Sequence, residues 1–211
     1  MKISEKQITI PIDSVRLDGT LVIPEGASAM VVFAHGSGSS RHSPRNKFVA
    51  GVLQKSGIGT LLFDLLTRQE DAVYENRFDI PLLTDRLKGA TVWLKSQPST
   101  KHLNIGYFGA STGTASAIRA AADPRLNIKA IVSRGGRPDL AEEALSIIKT
   151  PTLLIVGGLD DVVIQLNKKA FAMIKSEKEL SIIPGATHLF EEQGKLEEAA
   201  RLAADWFKRY L

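Results

Sequence analysis

The segment NIGYFGASTGTASAIRAA, residues 104–121, decides the fold. It joins an apolar run to a series of small residues typical of a helix, and the junction carries Ser111 between Gly109 and Gly113. This is the GxSxG pattern, in which a serine lies on a sharp turn between a strand and a helix, so that its hydroxyl stands clear of the sheet. A side chain at either glycine would collide with the neighbouring strand or with the turn itself. The segment therefore predicts an accessible hydroxyl at position 111.

Short apolar runs on both sides of this segment predict a buried, mostly parallel sheet. Because they do not alternate with polar residues, both faces of each strand are expected to be covered by helices. The runs occupy residues 30–35, 60–66, 104–109, 128–133, 151–158 and 179–185. Helical spacing appears between and after them, at Leu83, Leu87, Thr91 and Leu94 and at Leu196, Ala199, Ala203 and Trp206. The pattern indicates a doubly wound α/β fold.

Three further stretches complete the predicted architecture. Residues 6–23 alternate and contain Asp18-Gly19, which favours two antiparallel strands at an edge of the sheet. The polar stretch 67–79 is predicted to be an exposed loop. Residues 134–150 leave room for one short helix. We therefore expect no large cap domain, and an open mouth would suit small substrates.

Length and composition limit the class of protein. A chain of 211 residues is expected to form a single domain, residues 1–211. Hydrophobic residues make up 44% and charged residues 24%, which excludes a disordered or fibrous chain. The net charge of +4 is spread along the chain without a run of Lys and Arg. No nucleic-acid partner is predicted.

The chain contains no cysteine, which excludes disulfides and thiolate chemistry and fits a reducing compartment. No apolar stretch approaches the roughly 18 residues needed to span a bilayer. The first residues, MKISEKQITIPID, alternate instead of forming the apolar centre of a signal peptide. These features predict a cytoplasmic protein without membrane contact.

Residues that follow the predicted strands are the candidates for chemistry. In open α/β sheets ligands bind at the carboxyl ends of the strands, where different loops meet. The residues found there are His35, Gly36, Ser37, Asp64, Ser111, Arg134, Asp160, Asp161 and His188. They include a nucleophile, an acid and a base in the order Ser, Asp, His, which is one of the orders in which serine triads occur.

His188 is the predicted general base. A serine hydroxyl needs a base that takes its proton, and histidine has a suitable proton affinity near neutral pH. His188 follows the last predicted strand, whereas His102 precedes the strand that leads to the serine and is expected at the opposite edge. His35 and His42 flank a glycine-rich loop and stay possible. The alternative for His188 alone is a hydrogen bond to a loop carbonyl.

Asp160 is the preferred acid of the triad, with Asp161 as the alternative. The acid accepts a hydrogen bond from the imidazole and stabilises the cation that forms during attack. Asp160 comes sooner after its strand. Either aspartate could instead cap the helix that follows.

Two backbone amides are predicted to stabilise the oxyanion. This kind of site uses the amide after the nucleophile and one from the loop after an earlier strand. They correspond to the amides of Thr112 and of Ser37, the latter in the sequence HGSGSS.

The same loop raises a competing hypothesis of dinucleotide binding. VVFAHGSGSSR, a helix and then Asp64 follow the order strand, GxGxx, helix, strand, acid. The third glycine of that fingerprint is replaced by Arg41, and the fingerprint leaves His188 and the aspartate pair without a role. We therefore disfavour this alternative.

Taken together, these motifs resemble the α/β-hydrolase superfamily, in particular a dienelactone hydrolase-like branch. The resemblance covers nearly the whole chain through HGSGSSRHSPRN, FDLLT, GASTGTASA, SRGGRPDLA, PTLLIVGGLDDVV and PGATHLFEE, in the expected order. It implies Ser111 as nucleophile, Asp160 as acid and His188 as base. Dienelactone hydrolases proper have cysteine as nucleophile, so their lactone substrate is not carried over. The resemblance also implies that such a domain can be joined to a phosphoribosyltransferase module.

The predicted function is hydrolysis of a small soluble ester or lactone-type acyl substrate through an acyl-enzyme intermediate. This chemistry requires neither a metal nor an organic cofactor. The alternative is a protein of the same fold that binds a ligand or partner without turnover.

Several arginines occur in loops predicted to surround the pocket, which suggests an anionic substrate. They are Arg41, Arg45, Arg68, Arg134 and Arg137. The alternative is that they pair with nearby acids, such as Glu70, Asp71 and Asp139, or face water.

Overall fold

The computed structural model describes residues 3–211, which form one eight-stranded sheet covered by helices on both faces. The strands are β1 (Ile3–Ile12), β2 (Val15–Pro24), β3 (Ala29–Ala34), β4 (Gly59–Phe63), β5 (Asn104–Ala110), β6 (Ala130–Arg134), β7 (Thr152–Gly157) and β8 (Lys178–Ile183). Their spatial order is β1-β2-β4-β3-β5-β6-β7-β8. Strands β3 to β8 are parallel, and β1 and β2 are antiparallel at one edge. Each of the six apolar runs is a strand, so the predicted doubly wound α/β fold is confirmed.

Seven α-helices lie in the described part of the chain. They are α1 (Pro44–Lys55), α2 (Arg68–Asp71), α3 (Ile80–Ser96), α4 (Gly113–Ala121), α5 (Glu142–Leu145), α6 (Asp161–Met173) and α7 (Lys195–Tyr210). Short 3₁₀ helices occupy Tyr74–Phe78, Pro124–Leu126 and Pro138–Ala141. Helices α1 and α7 cover one face of the sheet, and α3, α4 and α6 cover the other. None of the helices in residues 3–211 is long and apolar enough to cross a membrane.

The helical spacing in the sequence corresponds to buried faces. On α3, the four predicted residues Leu83, Leu87, Thr91 and Leu94 are all buried. On α7, Trp206 and two alanines of the predicted stripe are buried, and Leu196 packs against them from the edge. Both stripes pack on the sheet because a helix buries one apolar side.

The two predicted antiparallel edge strands are confirmed, but Asp18-Gly19 does not form the turn between them. The chain reverses at Asp13-Ser14, where Ile12 pairs with Val15 and Asp13 has a left-handed φ of 50°. Gly19 lies inside β2, where an added Cβ would be 3.2 Å from Phe63 Cβ of β4. Glycine is thus used there for a close approach between strands, so the Asp-Gly pair does not mark the hairpin.

Residues 67–79 were predicted to be an exposed loop, and they are exposed but partly helical. Thr67 caps α2: its hydroxyl accepts from the amide of Glu70, and the Glu70 carboxylate accepts from the amide of Thr67. This reciprocal capping box stabilises one helical turn without apolar burial. Residues 134–150 hold a 3₁₀ helix and α5, in agreement with the predicted short helix. Within residues 3–211, these connections at the carboxyl edge contain no large cap.

Candidate active site

Ser111 occupies a strained turn between β5 and α4. Its φ is 50°, in the left-handed region that a residue with a side chain rarely adopts. The turn is held by bonds from its own amide to Arg134 O (3.3 Å) and from the Arg137 amide to Ser111 O (3.0 Å). At Gly113 an added Cβ would lie 2.1 Å from Ala34 O, and at Gly109 2.5 Å from Thr114 Cα. Both glycines are therefore required for the close approach that the GxSxG pattern predicts.

His188 and Asp160 meet at the carboxyl edge of the sheet. Asp160 follows β7 and His188 follows β8, and His188 Nδ1 lies 2.6 Å from Asp160 Oδ2. The aspartate side chain is 15% exposed and the imidazole 39%. Asp161, the alternative acid, is the first residue of α6 and is exposed. The bond at Nδ1 leaves Nε2 of His188 for a substrate or for a nucleophile.

Ser111 and His188 line the same cavity, whose volume is about 250 Å³. Gly36, Ser37 and Ser39 of the glycine-rich loop form another of its walls. The serine hydroxyl and the imidazole are not hydrogen-bonded to each other among the contacts of the described residues. Such a bond is often long or absent before substrate binds.

The two residues predicted to supply the oxyanion donors contact each other through the Thr112 side chain. The Ser37 amide donates to Thr112 Oγ1 over 2.9 Å, and the Thr112 side chain is buried. The glycine-rich loop approaches Ser111 closely, because an added Cβ at Gly36 would lie 3.0 Å from Ser111 Cβ. The Ser37 amide is thus next to the elbow and already has a hydrogen-bond acceptor.

The other three histidines are placed away from the serine hydroxyl. His35 is half-buried; its Nε2 accepts from the Leu65 amide at 3.1 Å and its Nδ1 lies 3.0 Å from Gly36 O. Burial lowers the pKa of His35 below its usual value, so the neutral ring anchors the loop. His42 lines a neighbouring cavity, and His102 lies beside β2 at the amino-terminal ends of the strands, as predicted.

Most of the candidate arginines pair with acids. Arg41 binds Asp64 through both its backbone amide and its guanidinium. Arg137 binds Asp139 at 2.8 Å, and Arg45 binds Glu191 at 3.0 Å at the rim of the cavity. Arg68 begins α2 and lines the neighbouring cavity with His42. The engagement of Asp64 by Arg41 also removes the free acid that dinucleotide binding would need. Glu70 and Asp71 pair with Arg86 and Arg77 instead of with the candidates.

Arg134 differs from the other candidates because it is buried and no acid pairs with it among the described residues. Its side chain is 7% exposed and lines the cavity with Ser111. One nitrogen, Nη2, donates to Asn46 Oδ1 at 3.3 Å, and the guanidinium lies 5.9 Å from the centre of the Phe190 ring. Among the described residues, Nε and Nη1 have no hydrogen-bond partner. Burial, and then the neighbouring charge of Arg45, lower the pKa of Arg134 to about 10, so it is charged near neutral pH.

Sequence reasoning missed Ser43 and Asn46, which lie beside this arginine. Ser43 is the N-cap of α1, and its hydroxyl accepts from the Asn46 amide at 3.3 Å. Serine followed by proline is a recognisable helix start, so the sequence contained this signal. Within residues 3–211 no three His, Asp or Glu side chains converge on a point that could hold a metal ion.

The chain is similar in sequence to known proteins. Residues 17–211 match the sequence model of the Dienelactone hydrolase family. A protein of Mycobacterium tuberculosis (strain H37Rv), which carries the provisional name of a phosphoribosyl transferase, is 55% identical over 207 residues. The match covers 98% of this chain and 47% of that protein, so the chain spans about half the length of the curated relatives it matches.

Solved structures show the same fold. A dienelactone hydrolase from Anabaena variabilis has a TM-score of 0.97 at 53% identity, and the match covers 100% of this chain and 100% of that one. Est1E from Butyrivibrio proteoclasticus has a TM-score of 0.82 at 17% identity, covering 96% of this chain and 98% of that one. A serine hydrolase homologue from Coxiella burnetii has a TM-score of 0.80 at 20% identity, covering 95% and 96%. The architecture is the α/β-hydrolase fold.

Proposed function

The chain belongs to the dienelactone hydrolase family and is a hydrolase, and from this premise we propose that it cleaves a small ester or lactone-type acyl substrate with Ser111 as nucleophile. The observation that carries the proposal is the 2.6 Å contact between His188 Nδ1 and Asp160 Oδ2 beside a cavity that Ser111 also lines. A carboxylate that holds one ring nitrogen orients the other as a base.

In the proposed reaction Ser111 Oγ attacks the acyl carbon while His188 Nε2 takes its proton. Asp160 stabilises the imidazolium. The tetrahedral oxyanion accepts from the amides of Thr112 and Ser37, the latter exchanging its bond to Thr112 Oγ1 for one to the oxyanion. His188 then gives the proton to the leaving oxygen as the acyl–oxygen bond breaks. Water, deprotonated by the same imidazole, attacks the acyl carbon of the acyl-enzyme. The bond to Ser111 Oγ breaks, His188 returns the proton to that oxygen, and the acid is released.

The substrate is proposed to be small, because the cavity has a volume of only about 250 Å³. The family's lactone substrate is not transferred, since the nucleophile here is a serine. We assign the transferase name of the mycobacterial relatives to the half of those proteins that this chain does not match. We also propose that residues 1–211 form one domain, which is supported by the single sheet that all eight strands share.

A fluorophosphonate probe tests the proposal. It should label Ser111 in the wild-type protein, and labelling should be strongly reduced in Ser111→Ala and in His188→Ala. A panel of short acyl esters, lactones and thioesters then identifies the bond that is cleaved. Undiminished ester hydrolysis by Ser111→Ala would contradict the mechanism.

A second candidate function is a binding protein of this fold without turnover, which is consistent with Ser111 and His188 lining one cavity without a hydrogen bond between them. This candidate predicts that the probe does not react with wild-type protein, although the protein is folded. The same gel therefore separates the two functions.

A further inference from the structure

The cavity beside Ser111 has a strongly positive lining without acidic residues. Arg45 and Arg134 both contribute to it, whereas its remaining lining residues are uncharged apart from the titratable His188. The acid closest to this charge is Glu191, which binds Arg45 outside the cavity lining. A pocket that holds two guanidinium groups and no carboxylate is complementary to an anion.

Arg134 brings to this pocket a buried charge that no acid neutralises among the described residues. A buried charge without a paired counter-ion is costly, and buried donors are normally hydrogen-bonded. Here Nε and Nη1 of Arg134 are buried without a partner, and the neighbouring charge is the like charge of Arg45. The contacts to Asn46 and Phe190 orient the guanidinium but neutralise none of its charge.

The amino terminus of α1 adds donors on the same side. Ser43, the N-cap, and Asn46 line the cavity with Arg134. The first turn of a helix has backbone amides without intrahelical partners and carries a partial positive charge. In this 12-residue helix the amide of Arg45 is one of these groups. Anions bind readily at such positions, especially beside arginine.

We propose that this cavity recognises a substrate bearing a phosphate monoester, with Arg134 as its principal ligand and Arg45 and the α1 amino terminus as further donors. The phosphate is a recognition group and the acyl bond at Ser111 is the one cleaved, so this inference rests on the proposed function. Two guanidinium groups match the double charge of a phosphate monoester better than the single charge of a carboxylate. The bond between Arg45 and Glu191 is exposed and weak enough to exchange for the phosphate.

A binding experiment tests the subsite without catalysis. Isothermal titration measures the affinity of inorganic phosphate and of acetate, at constant ionic strength, for the wild type, Ser111→Ala, Arg134→Gln, Arg45→Gln and Arg137→Gln. Phosphate should bind the wild type, Ser111→Ala and Arg137→Gln more tightly than acetate does. Its affinity should fall on the order of 10–100-fold in Arg134→Gln, because hydrogen bonds to a charged group are lost. Arg137 is the matched control, since it already pairs with Asp139.

A rate experiment tests the substrate class. Acetate release is compared for 2-acetoxyethyl phosphate, 3-acetoxypropanoate and the neutral 2-methoxyethyl acetate. The ratio of kcat/KM for the phosphate ester to that for the neutral ester should exceed ten and should fall on the order of 10–100-fold in Arg134→Gln. Arg134→Lys should recover part of that ratio, because the charge is kept without the planar fork. Arg45→Gln should lower it too, which keeps the test decisive if Arg134→Gln does not fold.

Three results would contradict parts of this proposal. Equal phosphate affinity in wild type, Arg134→Gln and Arg45→Gln would overturn the subsite, and a preference for the carboxylate ester would overturn the assignment to phosphate. Failure of Ser111→Ala to reduce hydrolysis would overturn the proposed function alone, because phosphate binding is measured separately.

Discussion

The backbone amide of Ser37 donates a hydrogen bond to Thr112 Oγ1 over 2.9 Å, so the two proposed oxyanion donors are linked through a side chain. The hydroxyl gives the loop amide an acceptor in the free protein. It also competes with the substrate oxyanion for that amide. Substitution of Thr112 can separate these effects.

Thr112→Val should lower the free energy of unfolding by about 1 kcal/mol, because the Ser37 amide loses its acceptor. Its kcat should stay within a few-fold of wild type, since both backbone amides remain. Thr112→Ser, which keeps the hydroxyl, is the control and should be close to wild type in both measurements. A fall in kcat of about 10²-fold in Val but not in Ser would instead assign the oxyanion contact to the hydroxyl.

Asp160→Asn should lower kcat by about 10⁴-fold, because the amide no longer holds His188 in the tautomer that accepts a proton at Nε2. Asp161→Asn is the matched control, one residue along and at the exposed start of α6. It should change kcat only a few-fold. Steady-state kinetics on one ester measures both. Similar losses in the two variants would contradict the assignment of Asp160 as the triad acid.

Ser111→Gly should be more stable than Ser111→Ala by about 1 kcal/mol, although both should be inactive. The φ of 50° at this position is strained for alanine and unstrained for glycine. Chemical denaturation of the two variants measures the difference. Equal stabilities would show that the turn does not strain residue 111 in solution.

The half-buried imidazole of His35 should make stability depend on pH. Its pKa in the folded protein is lowered by burial, whereas the unfolded chain titrates near 6.5. Below that pH the unfolded state binds a proton that the folded state does not, so the free energy of unfolding falls as the pH falls. The contribution reaches at most about 1.4 kcal/mol per pH unit.

Denaturant titrations of wild type and His35→Gln between pH 7.5 and 5 check this expectation. The variant should show a shallower loss of stability below pH 6.5, because glutamine does not titrate. Parallel curves for the two proteins would contradict a role for His35 in the pH dependence.

The sheet was predictable because its central strands are buried on both faces. Such strands consist of continuous apolar runs, which are visible in the sequence. Local turn chemistry was less informative. Asp18-Gly19 looks like a hairpin, but Gly19 is needed where β2 passes close to β4. The helical turn in residues 68–71 was missed because a capping box, not an apolar stripe, stabilises it.

The candidate site was predictable as far as strand order determines it. Ser111, Asp160 and His188 each follow a strand, so the topology brings them to one edge. The partners of the arginines were not predictable, since they depend on side-chain directions across separate loops. Arg41 and Arg134 look alike in the sequence, yet one binds Asp64 and the other has no acid beside it.

The central position of β3 bears on how the chain folds as it is synthesised. Strand β3 pairs with β4 and also with β5, joining Ala29 to Asn104. On the ribosome the edge of β3 that pairs with β5 therefore stays unpaired until β5 has been synthesised. Such long-range pairing slows folding and leaves a strand edge open to aggregation. A nascent chain that stops before β5 would have neither the central sheet nor the strand that leads to Ser111.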